Sequence, residues 1–140
     1  MDGVGAAAFG GRWNSVGRRV VYASLGFGGA LIEQLVHAGI GRLPPRVYVT
    51  IVIPSGVQIC ELSADALRGW DDDSFAVSRR AGHVWLDASH AVACITPSKA
   101  AAPFERNVLI NPAHAAIGSL RISKPRALVW DDRLHKHRIP

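Results

Sequence analysis

The chain has 140 residues, 49% of them hydrophobic and 19% charged, with a mean hydropathy of +0.14. That composition suits one folded domain with one core and excludes a disordered chain. The formal charge of +5 admits nucleic acid, an acidic protein or a polyphosphate as partner, and discriminates poorly among them.

No apolar stretch approaches the roughly 20 residues that a helical membrane span needs. The opening MDGVGAAAFG has neither a basic start nor a sustained apolar run, so it does not read as an export signal, and the expected compartment is the cytoplasm. Cys60 and Cys94 lie in apolar strand-like runs and are expected to be free, buried thiols. They lack Cys-x-x-Cys spacing, so no metal site is expected. The basic residues are scattered, apart from the tail over 133–140, and lack the interleaved aromatics of a base-stacking surface.

Residues 1–9 are poorly specified, and the Gly/Ala-rich stretch through Gly11 reads as a loop. Arg12-Trp13, the turn-like Asn14-Ser15-Val16-Gly17 and the run Val20-Val21-Tyr22 read as a hairpin, with its second strand near 19–23. A helix is predicted over 28–38, ended by Gly39. At about 100° per residue, Leu31, Ile32, Leu35 and Val36 share one arc of it, and Glu33 borders that arc among the more polar positions. Val47 to Ile53 is the clearest strand, and Val57 to Leu62 is expected to pair with it across Pro54-Ser55-Gly56. Ser63 to Leu67 suggests one helical turn. Trp70 to Ser74 is an acidic loop that could cap a helix from Phe75 to Ala88, which Gly82 weakens. Ala91–Thr96, Asn107–Ile110 and Arg126–Trp130 complete the strands. Without regular strand–helix alternation, the class is a single α+β domain over 1–140, with a mixed or antiparallel sheet and flanking helices.

Four residues could carry chemistry, each with an ordinary structural alternative. Arg12 lies among glycines, where its planar fork suits a phosphate or pyrophosphate, or else stacks locally or pairs with an acid. Tyr22 could present its ring to a flat heterocycle, although strand tyrosines more often pack in cores. Glu33 is the one acidic residue between Val20 and Gly41, near a cleft or on a solvated helix edge. Ser98 follows Pro97 at a strand end, outside any Gly-x-Ser-x-Gly elbow. The six histidines are dispersed and read as structural, and Asp71–Asp73 lacks the rest of a calcium loop.

Taken together, GGRWNSVG followed by VVYAS, then ALIEQLVH, Ile53-Pro54, Trp85-Leu86, Thr96-Pro97-Ser98 and NVLINPAH resemble the RES domain, a family named for its Arg, Glu and Ser. The blocks span residues 10–114 in order, with Arg12, Tyr22 and Glu33 at intervals of ten and eleven residues. The resemblance implies catalytic positions at Arg12, Tyr22, Glu33 and Ser98, and substrate-binding positions at Arg12, Trp13, Asn14, Tyr22, Ser98 and Asn107. It implies a toxin that depletes NAD⁺, taken as substrate and not as cofactor, by hydrolysis or phosphorolysis. Protein ADP-ribosyl transfer is the alternative, and the fold would be related to that of ADP-ribosylating toxins. A helix-turn-helix antitoxin is the implied partner, with no direct nucleic-acid or membrane partner; a homo-oligomer is left open. Family members generally carry a further strand ahead of GGRWNS, where eleven residues precede Arg12 here. A non-enzymatic basic binding module is the competing class, and would bind nucleic acid with strong salt dependence.

Overall fold

The computed structural model describes residues 1–38 and 43–136. The tail beyond residue 136 and the expected helix stop at Gly39 therefore lie outside the described residues. The chain forms a mixed α+β domain around a four-stranded sheet. Its strands are β1 (Val21–Ser24), β4 (Ile59–Glu61), β5 (Ala93–Pro97) and β6 (Arg106–Ile110), in the order β1-β6-β5-β4. β6 runs antiparallel to both β1 and β5, while β4 and β5 are parallel. Two small antiparallel ribbons accompany it: β2 (Arg46–Tyr48) with β8 (Arg126–Leu128), and β3 (Ile51–Val52) with β7 (Arg121–Ile122).

The central strands are apolar at consecutive positions because both faces of the sheet are covered. Cys94 and Leu109 point into one cluster with Trp13, Val20, Trp70 and Trp85. Ala93, Val108 and Ile110 point into another with Val92 and Leu120, against which Ile51, Ile53 and Ile117 pack. Full burial of a side chain such as Leu109 stabilises the domain by about 2 kcal/mol. Trp85 also ties its indole N–H to the Ala91 carbonyl at 3.1 Å, so its polar edge is satisfied inside the core.

Several expectations need correction. The start holds a short helix, α1 (Val4–Phe9), and not a loop. Arg12 and Trp13 form no hairpin strand, because β1 takes β6 as its partner. The VYVTIVI run is not one strand: it breaks at Val49-Thr50 into β2 and β3, which join different ribbons. Nor does β4 pair with it; β4 lies beside β5. Periodicity registers that a run is extended but not which of several strands closes its hydrogen bonds, and here only β5 and β6 pair with a near neighbour in the chain, the other partners lying far along it.

The helices α2 (Phe27–Ala38) and α3 (Ala76–Ala88) fall close to their expected spans. Gly82 does not weaken α3 as expected. A Cβ at this position would overlap the Trp13 carbonyl oxygen, so the missing side chain is what lets the helix press against the Arg12–Asn14 segment.

Candidate active site

Strand alternation places Tyr22 and Ser24 on one face of β1, opposite Leu109 and Asn107 of β6. The same face of β5 carries Cys94 and Thr96. Its middle is apolar and belongs to the tryptophan cluster, whereas toward Ser24 and Asn107 it becomes polar. Helix α2 crosses this polar end. Its first turn approaches closely because Gly29 has no side chain: a Cβ there would lie 2.8 Å from a Glu105 carboxylate oxygen and 3.5 Å from the Ser24 Cβ. Glu33 follows Gly29 by one helical turn and so faces the same way.

This approach corrects the expected orientation of α2. Ile32 and Val36, on the arc expected to be buried, are exposed, while Glu33 turns inward and is only partly accessible. Glu33 Oε1 accepts hydrogen bonds from the Ser98 hydroxyl at 2.9 Å and the Asn107 amide at 2.7 Å. Asn107 is itself oriented, since its carbonyl oxygen accepts from the Ser24 hydroxyl at 3.0 Å, leaving the amide nitrogen to point at the carboxylate. Ser98 is 1% exposed, and its oxygen also accepts from the Ala101 amide at 3.2 Å. One carboxylate oxygen is therefore clamped by two donors. The other, Oε2, has the exposed His37 imidazole 3.9 Å away, one turn along α2.

A second cluster adjoins the first through β1. The Tyr22 hydroxyl donates to Asn14 Oδ1 at 2.7 Å and accepts from the Trp13 amide at 3.0 Å. The hydroxyl is thus held inside while the residue as a whole stays 41% exposed. Burial pushes the Tyr22 phenol above its ordinary value, against the opposing pull of its hydrogen bonds and of Arg79 and Arg12. Gly11 makes room for this arrangement, because a Cβ on it would come within 2.6 Å of the phenol oxygen.

Trp13 and Asn14 support the cleft without lining it. Trp13 is buried and stacks on Trp70, with ring centroids 6.2 Å apart. Asn14 is fully buried; its amide nitrogen donates to the carbonyls of Ala6, Ser15 and Arg18, and its oxygen receives Tyr22. Arg12 directs one terminal nitrogen, Nη1, to the carbonyls of Trp70 and Asp72, each at 3.0 Å. Its guanidinium carbon sits 4.4 Å from the centroid of the Phe75 ring. No carboxylate within ion-pair distance neutralises Arg12 among the described residues. Lys99 draws the acidic loop toward Ser98, bonding the Asp71 carbonyl at 2.7 Å and the Asp73 carboxylate at 2.6 Å.

The structure thus joins Glu33, Ser98 and Asn107 directly, and adds Tyr22 and Arg12 through the Arg12–Asn14 segment. Ser24 was missed from the sequence; with β1 in hand, its place two residues after Tyr22 on the same face was the available signal. A carboxylate with one fixed and one open oxygen, beside an accessible aromatic ring and an unneutralised arginine, can bind an anionic, aromatic ligand and stabilise positive charge developing on it.

Residues 1–131 match the family model described as the RES domain. The chain is 34% identical over 139 residues to the "Prs ADP-ribosylating toxin" of Sphingobium sp. (strain YBL2), covering 96% of this chain and 86% of that protein. It is 35% identical over 114 residues to the "Toxin Res" of Photorhabdus laumondii, covering 79% and 72%. A "Toxin Res" of Pseudomonas putida is 34% identical over 128 residues, covering 87% and 84%. With the family model spanning nearly the whole chain, and relatives this similar aligned along most of their own length, this chain belongs to the RES domain family.

Proposed function

We propose that this chain is the toxin of a toxin–antitoxin pair and cleaves the nicotinamide–ribose bond of NAD⁺. The observation that carries the reading is the Glu33 carboxylate clamped on one oxygen by Ser98 and Asn107. As the C–N bond breaks, its electron pair leaves with nicotinamide and positive charge develops on the ribose. A carboxylate oxygen held beneath the sugar stabilises that oxocarbenium-like state. The clamp fixes the Glu33 rotamer and leaves Oε2 for this role. Tyr22 offers its ring to a flat heterocycle, and Arg12 offers its uncommitted nitrogens to a phosphate. Ser98 serves here by orienting Glu33, since its hydroxyl is already committed on both sides.

Water or inorganic phosphate then captures the ribosyl cation, giving ADP-ribose or its phosphate. The relatives named "Toxin Res" support the toxin role, with a helix-turn-helix antitoxin as the cognate partner and the cytoplasm as the place of action. The relative named for ADP-ribosylation favours a second reading, capture by a protein side chain, on a fold of the ADP-ribosylating-toxin type.

The test is incubation of the purified chain with NAD⁺ labelled in the adenosine half. Free labelled ADP-ribose or its phosphate supports small-molecule cleavage, label on protein supports transfer, and intact NAD⁺ refutes both. Glu33→Gln keeps the hydrogen-bonding shape but removes the charge, and is expected to lower cleavage about a hundredfold or more. An equally folded Glu33→Gln protein that works at the wild-type rate would overturn the assignment.

A further inference from the structure

Arg12 is not the only cation here that lies outside any ion pair among the described residues. Arg79, on α3, reaches the same place from the other side. Its Nε donates to the Gly11 carbonyl at 3.0 Å, directly beside Arg12. Its guanidinium carbon lies 5.1 Å from the Phe75 ring centroid, the ring over which Arg12 also sits. The two charges therefore stand within about 10 Å of each other, roughly one Debye length at 0.1 M salt. Phe75 is held in the left-handed backbone region at φ 60°, which is uncommon for a bulky residue.

Neither arginine joins an ion pair among the described residues. The nearby acidic loop gives Arg12 hydrogen bonds only from backbone carbonyls, with the Asp72 and Asp73 charges acting on it from beyond ion-pair distance. The side chain of Asp72 turns to the Ser74 amide, and that of Asp73 to Lys99. Nε and Nη2 of Arg12, and both terminal nitrogens of Arg79, make no hydrogen bond within the described protein. Both cations also act on the Tyr22 phenol, Arg79 more strongly than Arg12, which places them around the aromatic residue of the cleft.

Two partly buried like charges repel, and an anion with two charged groups would relieve that repulsion while using the free guanidinium edges. We infer that Arg79 is a second anion-binding residue of this cleft and that, with Arg12, it binds a diphosphate, one guanidinium to each phosphate group. The inference rests on the NAD⁺ reading of the same cleft, whose dinucleotide carries a diphosphate.

The test is calorimetric titration of ADP and of AMP into the full chain, a comparison that needs no catalysis. The wild type is expected to bind ADP about tenfold tighter than AMP, one charge-assisted contact's worth of affinity. Arg79→Gln should abolish that preference. Arg79→Lys keeps the charge but removes the Nε bond to Gly11, so it should keep part of the preference; a purely structural role for Arg79 predicts that it behaves like Arg79→Gln. Equal binding of ADP and AMP by the wild type, or an undiminished preference in Arg79→Gln, overturns the inference. Should circular dichroism show Arg79→Gln to be unfolded, Arg79→Lys decides, and its complete loss of preference would likewise overturn it. If the wild type prefers ADP through Arg79 but leaves NAD⁺ intact, the cleavage reading fails and the diphosphate site stands.

Discussion

Replacing Ser98 by alanine removes one of the two donors that clamp Glu33 and leaves the carboxylate on Asn107 alone. The lost bond is 2.9 Å long, partly buried, and accepted by a carboxylate, a class of hydrogen bond that contributes about 1.5–3 kcal/mol. If most of that serves to hold Glu33 beneath the ribose, nicotinamide release should slow by roughly ten- to a hundredfold in kcat, with little change in KM because Ser98 touches Glu33 and not the ligand. The Ala101 amide also loses its acceptor, so about 1 kcal/mol of stability goes with it. The assay is steady-state nicotinamide release by four proteins: wild type, Ser98→Ala, Glu33→Gln and the double variant. A residue that acts through Glu33 should matter little once Glu33 has lost its charge, so the double variant should be no more than about threefold slower than Glu33→Gln alone. If Ser98→Ala slows the Glu33→Gln protein by as much as it slows the wild type, Ser98 acts independently and the clamp is wrongly assigned.

Gly82→Ala sets two effects against each other. Alanine in a helix interior gains about 1 kcal/mol over glycine, but its Cβ would overlap the Trp13 carbonyl oxygen, and moving packed backbone costs about 1–3 kcal/mol or more. The overlap should win, lowering the urea midpoint and cleavage together because Trp13 sits between Arg12 and Asn14; a raised midpoint would contradict the packing. The Tyr22 phenol, raised by burial above its ordinary 10.0, holds its proton longer in the folded than in the unfolded chain. That contribution is intact below pH 10.0 and is lost as pH climbs toward the raised value. Tyr22→Phe should be less stable near neutrality, having lost the bonds to Asn14 and Trp13, but should decline less steeply between about pH 9 and 11. Parallel declines in denaturant titrations of the two proteins would refute the role given to burial.

The cleft is assembled from elements that share few local contacts. Helix α2 brings Glu33, the residue after β5 is Ser98, β6 brings Asn107, and the segment before β1 brings Arg12. Glycines mark two of the closest approaches: Gly29 lets α2 down onto Ser24 and Glu105, and Gly82 lets α3 down onto Trp13. Gly82 looks like an ordinary helix weakness in a linear reading. The purpose of both glycines becomes visible only when the atom that a Cβ would strike is known.

The sequence by itself determined what depends on neighbours along the chain. The two long helices, the apolar cores of β5 and β6 and the α+β class all follow from local pattern, and the ordered motif blocks over residues 10–114, Arg12, Tyr22, Glu33 and Ser98 among them, suggested the family by resemblance. Tertiary structure decided the strand pairing, since apart from β5 with β6 the hydrogen-bond partners lie far apart in sequence and an extended run carries no address for its mate. It also decided which way α2 faces. Periodicity would bury Ile32 and Val36, but two donors at the polar end of the sheet, the buried Ser98 and the partly buried Asn107, hold Glu33 inward, and Ile32 and Val36 are left exposed. Arg79 is one of several scattered basic residues in the sequence; only the packing of α3 against Gly11 sets its guanidinium beside that of Arg12.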